Sequence, residues 1–344
     1  MGMSSLIVIG AGYAGLLAAR RACARGLAVT LVSERDVMVD RIRLHEVVAG
    51  IRSPEQATRP LSLRTGEVVV GRATKVEEGR VTLADGRVRT ADHVLLATGS
   101  GHDIGGWAWA MTHRAAVAGL TPGATVQVLG AGLTGVETAA ELAAARPDLR
   151  VVLVAPAGVR LNLDPRGDAI VAAALEALGV RVAATADADA DHTIGCTGLT
   201  TDPLARDSGL PTSPSGGVLV DEALRVVGQE RVWACGDAAS VAGRPYLRMG
   251  CATAEPMAAA ASDNIVRTSR GRAPLPLSLG YAARCLSLGR HSGLIQFVTR
   301  ADEPTARVWS GRRAALAKEL VCRYATAAPV RWANVYRGVE GPNG

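Results

Sequence analysis

Two matching glycine hexapeptides hold the clearest chemistry in this 344-residue chain: Gly10-Ala11-Gly12-Tyr13-Ala14-Gly15 and Gly130-Ala131-Gly132-Leu133-Thr134-Gly135. Each follows a short apolar run, Leu6-Ile7-Val8-Ile9 or Val126-Gln127-Val128-Leu129, and each opens a helical pattern. In such a strand–turn–helix frame the first glycine permits the tight bend and the second lets backbone approach a pyrophosphate. The third lets helix and strand pack closely, while the helix N-terminus supplies N–H donors and a positive dipole end. One such turn in an Ala- and Gly-rich chain is weak; two, each properly framed, imply two bound dinucleotides. A third polar mark follows downstream, where Val232-Trp233-Ala234-Cys235 reads as a buried strand running into Gly236-Asp237.

The elements that must position these residues read as α/β. An apolar run at Val94-Leu95-Leu96 ends in Ala97-Thr98-Gly99, returning the chain to the first glycine turn, and Thr193–Gly198 echoes it for the second. Glu67–Val70, Lys75–Leu83 and Arg87–Arg89 read as a strand meander with a turn at Asp85-Gly86. A helix is expected from about Ala252 to Thr268. After Ala273-Pro274-Leu275-Pro276 come a strand at Leu294–Val298 and a helix near Arg313–Tyr324.

Composition narrows the class. Hydrophobic residues make up 48% and charged ones 20%, a globular balance. The net charge of +6 comes from scattered Arg, with Lys only at Lys75 and Lys318, so nucleotide phosphates account for the bias better than nucleic acid does. The six cysteines, at 23, 196, 235, 251, 285 and 322, form no CxxC or CxxxxC pair and no zinc spacing, so no metal site is expected. Leu6–Ala19 is apolar, but its Arg residues follow it and its glycines belong to the nucleotide turn, which argues against a signal peptide. No run is long enough to span a bilayer. A cytoplasmic protein is the expectation, with a homodimer left open.

In their order, Gly10–Gly15, Ala97–Gly99, Gly130–Gly135 and Gly236-Asp237 resemble the pyridine nucleotide-disulfide reductase superfamily, which includes the type II NADH dehydrogenases. Arg41–Glu46, Arg248–Ala252, Gly280-Tyr281 and Cys285–Arg290 are similar to a bacterial NADH-dehydrogenase-like branch, without the superfamily's redox disulfide. The resemblance implies two Rossmann-like, doubly wound domains plus a small C-terminal α+β region. An FAD-binding domain would comprise 1–107 and 227–272, an NAD(P)-binding-like domain 108–226, and the C-terminal region 273–344. It implies FAD at Gly10, Gly12, Ala14, Gly15, Thr98 and Gly99, with Gly236-Asp237 on the ribityl chain and Arg43 in the same site. Gly130, Gly132 and Gly135 would hold NAD(P)H.

The remaining site residues leave alternatives open. The adenosine-ribose position falls at Ser33, with Glu34 next to it. The second domain's equivalent strand ends in Ala155-Pro156, with no carboxylate, so Arg160 or Arg166 could meet an NADP 2′-phosphate or simply be surface charges. Glu137 matches a nicotinamide-side position, or is an acid favoured by the helix dipole. By resemblance His45 lies under the flavin as a proton relay, a covalent attachment point or a packing residue. Glu255, expected in the first turn of a flavin-facing helix, is a candidate acid/base. Tyr281 and Arg284 would approach the ring as substrate contacts. The resulting expectation is an FAD-dependent oxidoreductase. Its flavin would be reduced by NAD(P)H and would pass electrons to a small organic acceptor, quinone or oxygen. The alternatives are a biosynthetic tailoring flavoenzyme of secondary metabolism with a degraded nicotinamide site, or a non-catalytic FAD-binding redox sensor.

Overall fold

The computed structural model describes residues 3–100 and 104–342. Its first sheet has five parallel strands in the order 232–234, 93–96, 5–9, 28–33, 67–70. The central strand Ser5–Ile9 is nearly solvent-free because both faces of the sheet are covered, with helix Tyr13–Ala24 and the meander residues Val76, Val81 and Leu83 sharing its core; its continuous apolar run follows from that. The helix Tyr13–Ala24 crosses back over this sheet and packs against Cys251–Ser269. The second sheet repeats the plan with four parallel strands, ordered 181–183, 150–154, 125–129, 192–195, and the helix Leu133–Ala145. The fold is therefore α/β with two Rossmann-like sheets, each carrying a glycine turn at the C-terminal end of its central strand.

Glu67–Val70 departs from the sequence reading. It is the edge strand of the first sheet, paired with Ala28–Ser33, and the meander is Ala73–Glu77, Arg80–Leu83 and Val88–Thr90. A short apolar run such as Val68-Val69-Val70 specifies a strand but not which sheet it joins. The chain also returns to the first core earlier than the expected boundary at 226. Leu204, Leu210, Val218 and Leu224 pack there, and Val218–Val220 pairs with Ala239–Val241.

The C-terminal region is an antiparallel sheet, Ala283–Ser287, Gly293–Val298 and Pro304–Ser310, covered by the helix Gly311–Ala327. It is wedged between the two larger units. Leu286, Leu288 and Leu294 join the second core, while Tyr281, Val298 and Ala325 join the first. The short helix Leu44–Val48, which follows the first βαβ unit in sequence, also contributes to the second core. Among the described residues no helix is long and apolar enough to cross a membrane.

Candidate functional site

Both glycine turns are built alike. Gly10 has φ +101°, and a Cβ there would lie 2.3 Å from the Ala97 carbonyl oxygen. Gly130 has φ +100°, and its Cβ would lie 2.7 Å from Thr197 Cγ2. Gly15 and Gly135 each sit so close to the strand that a Cβ would come 1.8 Å from the carbonyl oxygen of Gly10 or Gly130. By contrast, a Cβ on Gly12 or Gly132 would meet nothing within 4 Å. The first and third glycines thus close the turn against its own protein, while the second faces open space at a helix N-terminus.

At the first turn that space is a cavity of about 490 Å³. Gly10, Gly12, Ala14, Ser33, Glu34, Thr98 and Gly99 line one end. Gly15 stands behind this lining, where it lets the helix approach the strand. Both adenosine-side candidates are present: Ser33 is buried, and Glu34 is partly exposed with Arg72 3.5 Å away. Asp237 also lines the cavity, one residue after Gly236, which is buried at φ +68°. One carboxylate oxygen accepts the Gly250 N–H at 2.8 Å, the other the Ser100 hydroxyl at 2.6 Å. A dinucleotide such as FAD fits this set: an open helix N-terminus for the pyrophosphate and a fixed carboxylate for hydroxyl groups.

Arg43 is not in that lining. Its guanidinium lies 2.8 Å from Glu46 and 2.5 Å from Glu319. Arg41 takes the place at the cavity wall, donating to the carbonyls of Ser100 at 2.5 Å and Gly105 at 3.1 Å. On this tight turn, two residues separate a wall position from a buried ion pair.

At the far end of the cavity three elements converge. Glu137, in the second turn of the helix Leu133–Ala145, meets Lys318 from the C-terminal helix in an ion pair and accepts the Ser287 N–H at 2.9 Å. His45 lines the same wall, and its Nε2 is buried without a hydrogen-bond partner. Burial alone would raise Glu137 and lower Lys318. Their mutual attraction overrides this, holding the carboxyl below its ordinary range and the ammonium above. Burial lowers His45, leaving it neutral. The cavity therefore presents a fixed ammonium–carboxylate pair beside a neutral imidazole. Cys251, Cys285 and Cys322 line it too, and burial pushes their thiols up, Cys251 to about 12 and Cys322 to about 11.

Three expected residues lie elsewhere. Glu255 is 3% exposed and turned away from the cavity. It shares a hydrogen bond with Tyr336, its Oε1 has no partner, and burial raises it to about 8. Cys251, Ala252 and Ala254 line the cavity; Glu255 shares the helix face of Cys251 but lies one turn farther along, where it pairs with Tyr336 instead of reaching the cavity. The Tyr281 hydroxyl meets Thr253 Oγ1 at 2.6 Å and accepts the Arg248 N–H at 3.0 Å. Arg284 is buried against Asp302 at 2.9 Å and donates to the Leu161 carbonyl at 3.1 Å. Strand alternation puts Ala283 and Cys285 in the cavity and Arg284 on the opposite face. At the second glycine site, Ala155 is buried just past the strand's end, while Arg160 is exposed in the following loop and Arg166 is exposed in the first turn of the helix Pro165–Ala177.

Lys318 and Arg41 were missed by the sequence reading. Lys318 had one signal: it is one of two lysines in a chain that otherwise uses Arg. Lys75, the other, is an exposed surface partner of Glu77.

An NADH dehydrogenase-like protein of Mycobacterium tuberculosis (strain H37Rv) is 28% identical over 347 residues, covering 83% of this chain and 86% of that protein. Two solved structures share the fold. The sulfide:quinone oxidoreductase of Aquifex aeolicus has a TM-score of 0.78 at 17% identity, covering 96% of this chain and 92% of that one. NDH2 of Plasmodium falciparum, solved in complex with NADH, has a TM-score of 0.74 at 13% identity, covering 97% and 99%. The family described as pyridine nucleotide-disulphide oxidoreductase matches residues 4–262. The chain belongs to that family and is an FAD-dependent oxidoreductase.

Proposed function

We propose that this oxidoreductase takes reducing equivalents from NAD(P)H and delivers them to a small apolar acceptor of the quinone type. Bound in the cavity, FAD would accept hydride from the nicotinamide and supply electrons to the acceptor. The observation that carries the reading is the ion pair of Lys318 and Glu137 beside neutral His45, at the end of the cavity where the second domain meets the first. A quinone gains protons as well as electrons. Lys318 holds a proton at Nζ, Glu137 keeps it there at neutral pH, and the free His45 Nε2 can accept or pass one on. An apolar acceptor has a route in. Val321 lines the cavity and is 45% exposed, and Leu316, Leu320 and Tyr324 continue an exposed apolar stripe along the same helix.

Anaerobic stopped-flow mixing tests this. NADPH or NADH should bleach the flavin, and a water-soluble quinone should restore its colour. Lys318→Met should slow the second phase by about a hundredfold, the usual scale for lost acid catalysis. A quinone phase unchanged in Lys318→Met refutes the assignment.

The tailoring-enzyme alternative drew on Ala155 and Glu255. With Glu255 behind the cavity wall, only Ala155 still favours it. A redox sensor would need a reactive thiol beside the flavin; Cys251 there is kept protonated by burial.

A further inference from the structure

Arg290, in the tight connection between the first two strands of the C-terminal sheet, bridges two buried carboxylates from different domains. It grips Glu141 in a two-pronged ion pair, with Nε 2.8 Å from Oε2, and its Nη2 lies 3.3 Å from Glu46. Glu141 is completely buried on the helix Leu133–Ala145 of the second domain, and Glu46 is 2% exposed on the helix Leu44–Val48. Arg43 and Arg52, both from the first domain, complete the shell around Glu46 at 2.8 and 2.7 Å.

Each of these helices also presents a residue to the cavity. Glu137 lies one turn before Glu141, and His45 is adjacent to Glu46. Fixing Glu46 against Glu141 therefore fixes His45 against Glu137, and with them the second glycine turn relative to the flavin cavity. Without Arg290, Glu46 keeps Arg43 and Arg52, but Glu141 loses its cation while buried and the bridge between the two helices is gone.

We propose that Arg290 is a positioning residue that sets the docking of the nicotinamide-binding domain on the flavin-binding domain, and so the approach of donor to acceptor ring. This rests on the reading that a nicotinamide is the donor. Hydride transfer demands a separation of about 3–3.5 Å between reacting atoms, and a misplacement of about 1 Å can cost a hundredfold. The bidentate guanidinium–carboxylate geometry is what a Lys could not reproduce.

The experiment compares wild type, Arg290→Ala and Arg290→Ala/Glu141→Gln, each loaded with FAD. The readouts are thermal midpoint and anaerobic flavin bleaching across a range of NADPH and NADH concentrations. The limiting bleaching rate should fall about ten- to a hundredfold in both variants. The half-saturating nucleotide concentration should stay within about threefold, because the nucleotide's own contacts lie inside the second domain. The double variant, freed of the unpaired Glu141 charge, should recover the thermal midpoint lost by the single variant without recovering the rate. Wild-type bleaching kinetics in the double variant, or rate restored together with stability, would overturn the positioning role while leaving the proposed function standing. A wild-type enzyme bleached by neither nucleotide would sink both.

Discussion

The glycine turns allow a prediction in which two substitutions three residues apart, Gly12→Val and Gly15→Ala, fail for opposite reasons. Gly12 has φ −75° and ψ −164°, extended backbone that Val adopts readily, and its Cβ would meet no protein atom within 4 Å. The folded apoprotein should therefore tolerate Val within about 0.5 kcal/mol. The side chain instead fills the space where the turn's N–H groups would receive a pyrophosphate. Losing about two charge-assisted hydrogen bonds, each worth about 1.5–3 kcal/mol, weakens FAD binding by two to four orders of magnitude. The smaller change at Gly15 is the more damaging to the fold. A Cβ 1.8 Å from the Gly10 carbonyl oxygen must push strand and helix apart by more than an ångström, and that neighbour is backbone. The cost should reach about 3 kcal/mol, the upper end for overpacking, against a total stability of about 5–15 kcal/mol. Thermal unfolding of the apoproteins and FAD titration by fluorescence quenching separate the two. Gly12→Val should melt with the wild-type apoprotein yet stay colourless, and Gly15→Ala should melt well below it. Wild-type FAD affinity in Gly12→Val, or a wild-type melting temperature in Gly15→Ala, would refute the reasoning.

Further tests follow from the site's other residues. Asp237→Ala removes the acceptor for Gly250 N–H and the Ser100 hydroxyl and should weaken FAD retention about ten- to a hundredfold, measured by equilibrium titration. Glu255→Gln should leave quinone turnover within about threefold of wild type, since Glu255 does not line the cavity. It should also stabilise the protein in a pH-dependent way. Burial raises the folded-state pKa from near 4.5 to about 8, so wild-type stability falls across that interval, by up to about 1.4 kcal/mol per pH unit. The melting advantage of Glu255→Gln should thus be absent at pH 4.5, grow to pH 8 and level off above it; an advantage that shrinks with pH would contradict this. NADPH should bleach the flavin at least as well as NADH, because Ala155 offers no carboxylate to repel a 2′-phosphate. Arg160→Ala or Arg166→Ala should then raise the half-saturating NADPH concentration alone.

Features set by local chain geometry were legible in the sequence. A glycine turn between an apolar run and a helix has few physical solutions, so the two tight turns and the open helix N-termini beyond them followed from Gly10–Gly15 and Gly130–Gly135, and the buried parallel strands from their unbroken apolar runs. Tertiary structure decided which side chains from distant elements share a wall. Glu255 shares a helix face with Cys251 in the cavity yet lies one turn farther along against Tyr336, and one strand step separates Cys285 from Arg284. Such placements depend on how a helix or strand is seated by its neighbours, and a one-residue register difference reverses the result. Lys318 reaches Glu137 across 181 positions and Arg290 reaches Glu141 across 149, because the C-terminal sheet and the helix that covers it wedge between the two domains and bring one cation each to the helix Leu133–Ala145. No spacing rule encodes contacts of that range. They exist only once three separately folded layers are packed, where burying a carboxylate obliges the fold to bring it a cation.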